Sequence, residues 1–229
     1  MDLEPEVIYE DENVVALSKP AGLLMHGEDK DGKETLADWL VVQYPEVSTV
    51  GDKPLERPGI VHRLDRDTSG VILIARNQEY FIYLKSLFKE RGIRKTYRVI
   101  VSGVPKEISG VIDSPISLKP GTVKRTVHKG KMIKPAITEY KVLKELGDYA
   151  YLEISPKTGR THQIRVHLAS IGHPVVGDKL YGSKKDNSGA LRQMLHAYSL
   201  ELELEPGKAI KLQADLPEDF EKILKNLEN

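Results

Sequence analysis

Apolar and polar positions along this chain predict more strands than helices. Val7–Tyr9 and Asn13–Leu17 read as short strands, and Pro20-Ala21-Gly22 ends the second. Thr35–Tyr44 reads as a helix with Leu36, Trp39 and Leu40 on one face. Pro45, Gly51, Pro54, Pro58 and Gly59 mark a loop. Val71-Ile72-Leu73-Ile74-Ala75 is an unbroken apolar run, and with no solvent face it predicts a buried strand. Gln78–Glu90 predicts an amphipathic helix, with Phe81, Leu84 and Phe88 repeating at three and four and Lys85 and Lys89 outside. In Lys95–Val101, Tyr97, Val99 and Val101 fall on one side of a strand, and Thr96, Arg98 and Ile100 on the other.

Residues 103–135 are rich in Gly, Pro and Lys, with short strand-like pieces. Ile137–Leu146 and Tyr149–Ser155 read as a hairpin around Gly147-Asp148. Thr161–Gly172 predicts a helix with Ile164, Leu168 and Ile171 as its core stripe. Leu200, Leu202 and Leu204 alternate with acids as a half-exposed strand, Ile210–Ala214 is another, and Pro217–Leu227 closes as a helix with proline at its start. Strands that neighbour each other in sequence imply an α+β fold with a mixed, mainly antiparallel sheet, not alternating βαβ units. Without repeats, heptads or a long polar linker, residues 1–229 are expected to form a single domain, and a monomer.

Composition narrows the class. The chain has no cysteine, which removes disulfides, thiolate metal sites and thiol nucleophiles. No apolar run reaches the roughly 18–20 residues of a membrane span. The acidic start (Asp2, Glu4, Glu6, Glu10) is the opposite of a signal peptide, so a cytoplasmic protein is expected. Net charge is zero, yet residues 85–98, 119–134 and 157–185 each carry six Lys or Arg and at most one acid. Three acid-poor runs predict a positive face suited to nucleic-acid phosphates, with Lys124, Arg125, Lys129, Lys131 and Arg160 as candidate contacts. An ordinary solvated surface is the competing reading.

The densest chemistry is His62-Arg63-Leu64-Asp65-Arg66-Asp67-Thr68-Ser69-Gly70, fastened directly to the buried strand. A polar loop on a rigid element is well placed for function. An ionised Asp65 among arginines suits attack on an electron-poor carbon, or proton abstraction, beside phosphates. Alone, Asp65 and Asp67 also read as turn residues or a solvated ion cluster. A second stretch, Lys157-Thr158-Gly159-Arg160-Thr161-His162-Gln163-Ile164-Arg165-Val166-His167-Leu168, carries Arg165 beside the helix stripe, with Arg160 and helix-start amides suited to a phosphate. His162 and His167 lie about 140° apart on a helix and cannot share a metal. Gly177–Lys184 has the glycine spacing of a phosphate loop but reverses its Lys-Ser order.

These two stretches resemble the H-R-L-D-x-x-T-S-G and G-R-T-H-Q-I-R-x-H signatures of the RluA-type pseudouridine synthases. Gly172–Gly182 is similar to that family's G-H-P-x-x-G-D-x-x-Y-G, and Lys95-Thr96-Tyr97 to its K-x-Y strand. The resemblance implies an RNA-modifying isomerase that needs no cofactor or metal. It implies Asp65 as the catalytic carboxylate, Arg165 as its ion-pair partner, Tyr97 against the uracil and Arg63 filling the space of an extruded base. With the chain beginning just before the first strand, the extra N-terminal RNA-binding domain of some relatives is not expected. Two other functions fit the residues: a non-catalytic RNA-binding module, and a glycosidase using Asp65 and Asp67 as a carboxylate pair.

Overall fold

A computed structural model describes residues 3–27, 32, 34–122, 124–128, 130–205 and 207–228. The chain divides into two compact units, residues 1–94 with 197–215, and residues 95–196 with 216–229.

In the first unit, β1 (Glu6–Glu10), β2 (Val14–Lys19), β3 (Ser69–Ala75) and β11 (Leu195–Glu205) follow in that order across a sheet, and β12 (Lys208–Gln213) pairs with β11. The registers β1–β2, β2–β3 and β11–β12 are antiparallel. All seven residues of β3 are buried, as the continuous apolar run requires, and the strand begins two residues earlier than the run itself, at Ser69. One face packs Val14, Ala16, Val71, Leu73 and Leu200 against Phe81 and Leu84 of α2 (Gln78–Glu90). Asn77 caps α2 by accepting the Tyr80 N–H, so the polar residue before the apolar stripe sets where the helix starts. Thr35 and Asp38 form a reciprocal capping box at α1 (Leu36–Gln43).

In the second unit the strand order is β4 (Arg94–Ser102), β10 (Tyr149–Pro156), β9 (Ile137–Leu146), β5 (Ser109–Asp113), with each register antiparallel. The Gly147 turn joins β9 to β10 as the alternation predicts. Residues 103–135 resolve into β5 and a separate small sheet ordered β7 (Arg125–Thr126), β6 (Ile116–Leu118), β8 (Lys131–Lys134). Tyr97, Val99 and Val101 of β4 face one cluster, while Ile100 faces another with Phe220 and Ile223 of α4 (Glu218–Glu228).

The helix predicted over Thr161–Gly172 is shorter: α3 covers Gln163–Ser170, because His162 takes a left-handed conformation (φ 56°) at its start. Its core stripe is also different. Ile164 and Leu168 are buried in the β4–β10–β9 cluster, but Ile171 lies past the helix end and is 38% exposed. Val166 is buried instead, against Ile116 and Ala136. The first six residues of α3 are all buried, so the helix has almost no wet face and its polar side chains need internal partners.

His167 shows how this is met. Its Nε2 lies 2.9 Å from the Ser114 carbonyl, which makes Nε2 the donor, and its Nδ1 lies 2.9 Å from the Thr138 hydroxyl. Burial holds the ring below the ordinary histidine pKa, and the Ser114 carbonyl and Asp113 offset this only in part. The unfolded chain therefore takes up this proton more readily than the native state. Stability from neutral His167 is complete above about pH 6.5 and is lost as pH falls below it. Thermal melts of wild type and His167→Gln should show the gap between them narrowing from about pH 7.5 to about pH 5; a gap constant with pH would refute the assignment.

Candidate active site and RNA surface

In the first unit, Asp65 sits in a turn closed by the Thr68 N–H donating to the Asp65 carbonyl at 3.0 Å. Asp65, Arg66 and Asp67 are half-buried, Arg63 is exposed, and Thr68 to Gly70 are buried. Several bonds hold the loop through its backbone. The Lys19 side chain, 0% exposed, donates from Nζ to the carbonyls of Pro20 (2.8 Å), Leu23 (2.9 Å) and Arg66 (2.9 Å). Gly22 N–H also donates to the Arg66 carbonyl, and Arg66 Nε returns a bond to the Gly22 carbonyl. Lys19 stands opposite Gly70 in the β2–β3 register, so this anchor is built where the loop enters the sheet.

Gly70 (φ 113°) is required there: a Cβ would stand 2.1 Å from the Ala197 carbonyl oxygen. His62 is structural, its Nε2 accepting the Leu73 N–H and its ring stacking on Phe88 at 4.6 Å. Burial, chiefly, and then the charges of Arg63 and Arg57 hold His26 below its ordinary pKa, with Glu56 opposing.

In the second unit, Arg165 is 5% exposed and makes a bidentate pair with Asp178: Nε to Oδ2 at 2.7 Å and Nη2 to Oδ1 at 2.8 Å. Asp178 also accepts the N–H groups of Leu180 and Tyr181. Burial alone would raise its pKa, but the Arg165 bonds and charge and the two amides hold it below the usual carboxylate range. The Arg165 guanidinium lies 5.3 Å from the Tyr181 ring centre. Sequence reading assigned no role to Asp178, which is thirteen residues away in the glycine-rich stretch that resembled a phosphate loop. That stretch is a tight turn, with the Gly182 N–H donating to the Asp178 carbonyl.

Gln163 fixes the start of α3. Its amide oxygen accepts from the Thr158 hydroxyl and the Arg160 N–H, and its amide nitrogen donates to the Ile137 carbonyl and the Thr138 hydroxyl. Every hydrogen-bonding position of this buried amide is used. Arg160 Nε donates to the Pro135 carbonyl, which fixes one edge of its guanidinium. Tyr97 is half-buried, packed at the margin of the β4–β10–β9 cluster and opposite Ile154.

The three basic segments differ. In the first, Lys85 pairs with Asp52, Arg94 with Glu201 and Arg98 with Glu153, and in the third Lys157 pairs with Glu139. Among the described residues, Lys119, Lys124, Arg125, Lys131 and Lys134 have no carboxylate partner. The β7–β6–β8 segment is thus the one in which no described Lys or Arg meets a carboxylate, while Lys89 and Arg91 of the first segment and Arg160, Lys179, Lys184 and Lys185 of the third are also unpaired with acids among the described residues. Lys124 Nζ does donate to the Leu180 carbonyl, so one of its three donors is committed. Lys129 lies outside the described residues. Among the described residues, no group of three or more His, Asp or Glu is placed to hold a metal ion, and no helix is long and apolar enough to cross a membrane.

A family profile described as RNA pseudouridylate synthase matches residues 13–170. An uncharacterized RNA pseudouridine synthase of Synechocystis sp. is 38% identical over 226 residues, covering 96% of this chain and 68% of that protein. Ribosomal large subunit pseudouridine synthase D of Borreliella burgdorferi is 37% identical over 221 residues, covering 96% of this chain and 68% of its own. Among solved structures, human RNA pseudouridylate synthase domain containing 4 superimposes with a TM-score of 0.77 at 28% identity, over 97% of this chain and 92% of that one. The chain belongs to the RNA pseudouridine synthase family, and its α+β architecture is that of its structural neighbours.

Lys19 was invisible as a site residue in the sequence, where it only ended a strand. Lys19→Met keeps the stem but leaves the Pro20 and Leu23 carbonyls without this donor, while the Arg66 carbonyl keeps the Gly22 N–H. Leaving buried acceptors unmade costs about 1–3 kcal/mol each, so a loss of at least about 2 kcal/mol is expected. A denaturant midpoint unchanged by the substitution would show that the anchor carries no weight.

Proposed function

We propose that this enzyme isomerises specific uridines to pseudouridine in structured ribosomal or transfer RNA, with Asp65 as the catalytic carboxylate. The observation that carries the reading is Asp65 itself, half-buried in a turn whose backbone is locked to the sheet by Lys19. The large-subunit name of the Borreliella relative favours ribosomal RNA. We take residues 1–229 as one catalytic domain acting as a monomer in the cytoplasm.

In the reaction, the bond from the sugar's anomeric carbon to uracil N1 breaks. A bond to ring carbon 5 forms, N1 gains a proton and carbon 5 loses one. Nothing is oxidised or hydrolysed, so the chemistry needs neither metal nor redox cofactor. Asp65 acts as nucleophile at the sugar or as base, and both roles need its ionised form. Arg165, pre-aligned by Asp178, pairs with Asp65, the role that the motif resemblance implies. Tyr97 packs on the uracil and helps remove the proton from carbon 5. A base inside a stack must be extruded, at a cost of about a few kcal/mol, and Arg63 takes its place.

Asp65→Asn is nearly isosteric and removes the charge. It should abolish release of tritium from carbon 5 of labelled uridine in RNA, with RNA affinity changed no more than a few-fold. Clear turnover by the purified variant would sink the mechanism.

The hairpin supplies the phosphate contacts, supported by its unpaired charge. Lys124→Ala with Arg125→Ala should weaken binding and flatten the slope of log affinity against log salt by about one unit per lost contact. Unchanged affinity and slope would move the RNA path to Arg160 and the segment around Arg91.

A further inference from the structure

The mechanism leaves Tyr181 without a task, yet its side chain has three contacts that point to one. Its phenolic oxygen accepts the backbone N–H of Arg125, in β7 of the basic hairpin, at 2.7 Å. The same oxygen lies 2.9 Å from His162 Nδ1, at the residue that starts α3. Its ring lies under the Arg165 guanidinium, 5.3 Å from centre to charge. The Tyr181 N–H is also one of the donors to Asp178, which grips Arg165 from the other side. Lys124 Nζ on the Leu180 carbonyl adds a second tie between hairpin and turn. One side chain thus touches the basic hairpin, the start of the helix bearing Arg165, and Arg165 itself.

We propose that Tyr181 is a positioning residue that couples RNA engagement of the basic hairpin to the orientation of Arg165. RNA phosphates that order the hairpin fix the Arg125 amide, the amide fixes the phenol, and the ring and Asp178 together hold the guanidinium. The consequence is a tightening on engagement: the Arg165 guanidinium, already gripped by Asp178, is held most firmly in one orientation when the hairpin is loaded. This rests on the reading of Arg165 as the partner of Asp65 and of the hairpin as an RNA surface.

The experiment uses the full chain, an unmodified large-subunit ribosomal RNA transcript, and Tyr181→Phe, which deletes the phenolic oxygen and keeps the ring. RNA affinity, single-turnover tritium release at saturating enzyme, and amide hydrogen exchange are measured together. In wild type, RNA should slow exchange at both Arg125–Thr126 and residues 163–166. In Tyr181→Phe, protection at Arg125–Thr126 should persist while that at 163–166 is lost. Affinity should stay within about threefold and the single-turnover rate should fall about 10- to 100-fold, the scale expected for misplacement of a reacting constellation. A general loss of packing would not separate rate from affinity in this way.

The proposal is overturned if the variant keeps wild-type rate, or if it retains RNA-dependent protection at 163–166. Should the variant fold poorly, wild type still decides: bound RNA that leaves exchange at 163–166 unchanged rules out the coupling. Failure of wild type to bind RNA overturns both this inference and the functional reading. Binding without transfer of protection overturns the coupling alone.

Discussion

The buried guanidinium of Arg165 sets the terms for much of the second unit. A charge 5% exposed is tolerable only with a partner in good geometry and with that partner's remaining lone pairs filled. Asp178 meets both conditions, one oxygen taking Arg165 Nη2 and two backbone amides, the other taking Nε. The amides come from a turn that must be tight. Gly182 is glycine because a Cβ would stand 2.2 Å from the Asp178 carbonyl oxygen. The ion pair therefore dictates a turn, and the turn dictates a glycine spacing that looks from sequence like something else.

The same logic explains why α3 breaks the rule for surface helices. A helix with one apolar stripe can leave its other faces to water, whereas α3 cannot. Gln163, Arg165 and His167 are buried on it and each is answered by a designated group: the Thr158–Ile137–Thr138 cluster, Asp178, and Ser114 with Thr138. Polar groups in a low dielectric are costly when half-satisfied, so such a helix is rigid or it is wrong. Rigidity of this kind fixes the angle at which the Arg165 guanidinium is held against Asp178.

What could be read from the chain followed from local pattern. The apolar run of β3, the stripe of α2, the hairpin at Gly147 and the two faces of β4 all depend on neighbours a few residues away, and all are where alternation put them. The signature loop was legible as an ordered string, as was family membership. Lys19 was not: a lysine ending a strand looks solvated, and its burial depends on Arg66, 47 residues on. Asp178 was missed for the same reason. Ile171 was misplaced because periodicity extends a stripe past the point where His162 shifts the helix start and the last turn runs out. The small β7–β6–β8 sheet, in a Gly- and Lys-rich stretch, has no apolar alternation from which to read a register.

The anchoring of the signature loop has a consequence for descent. Lys19 Nζ and the Gly22 N–H grip the Arg66 carbonyl, a group every residue type supplies, and Arg66 Nε bonds the Gly22 carbonyl in return. These particular bonds survive any substitution that keeps the path of the backbone. A loop tied in this way can exchange side chains over evolutionary time and still enter the sheet on the same course.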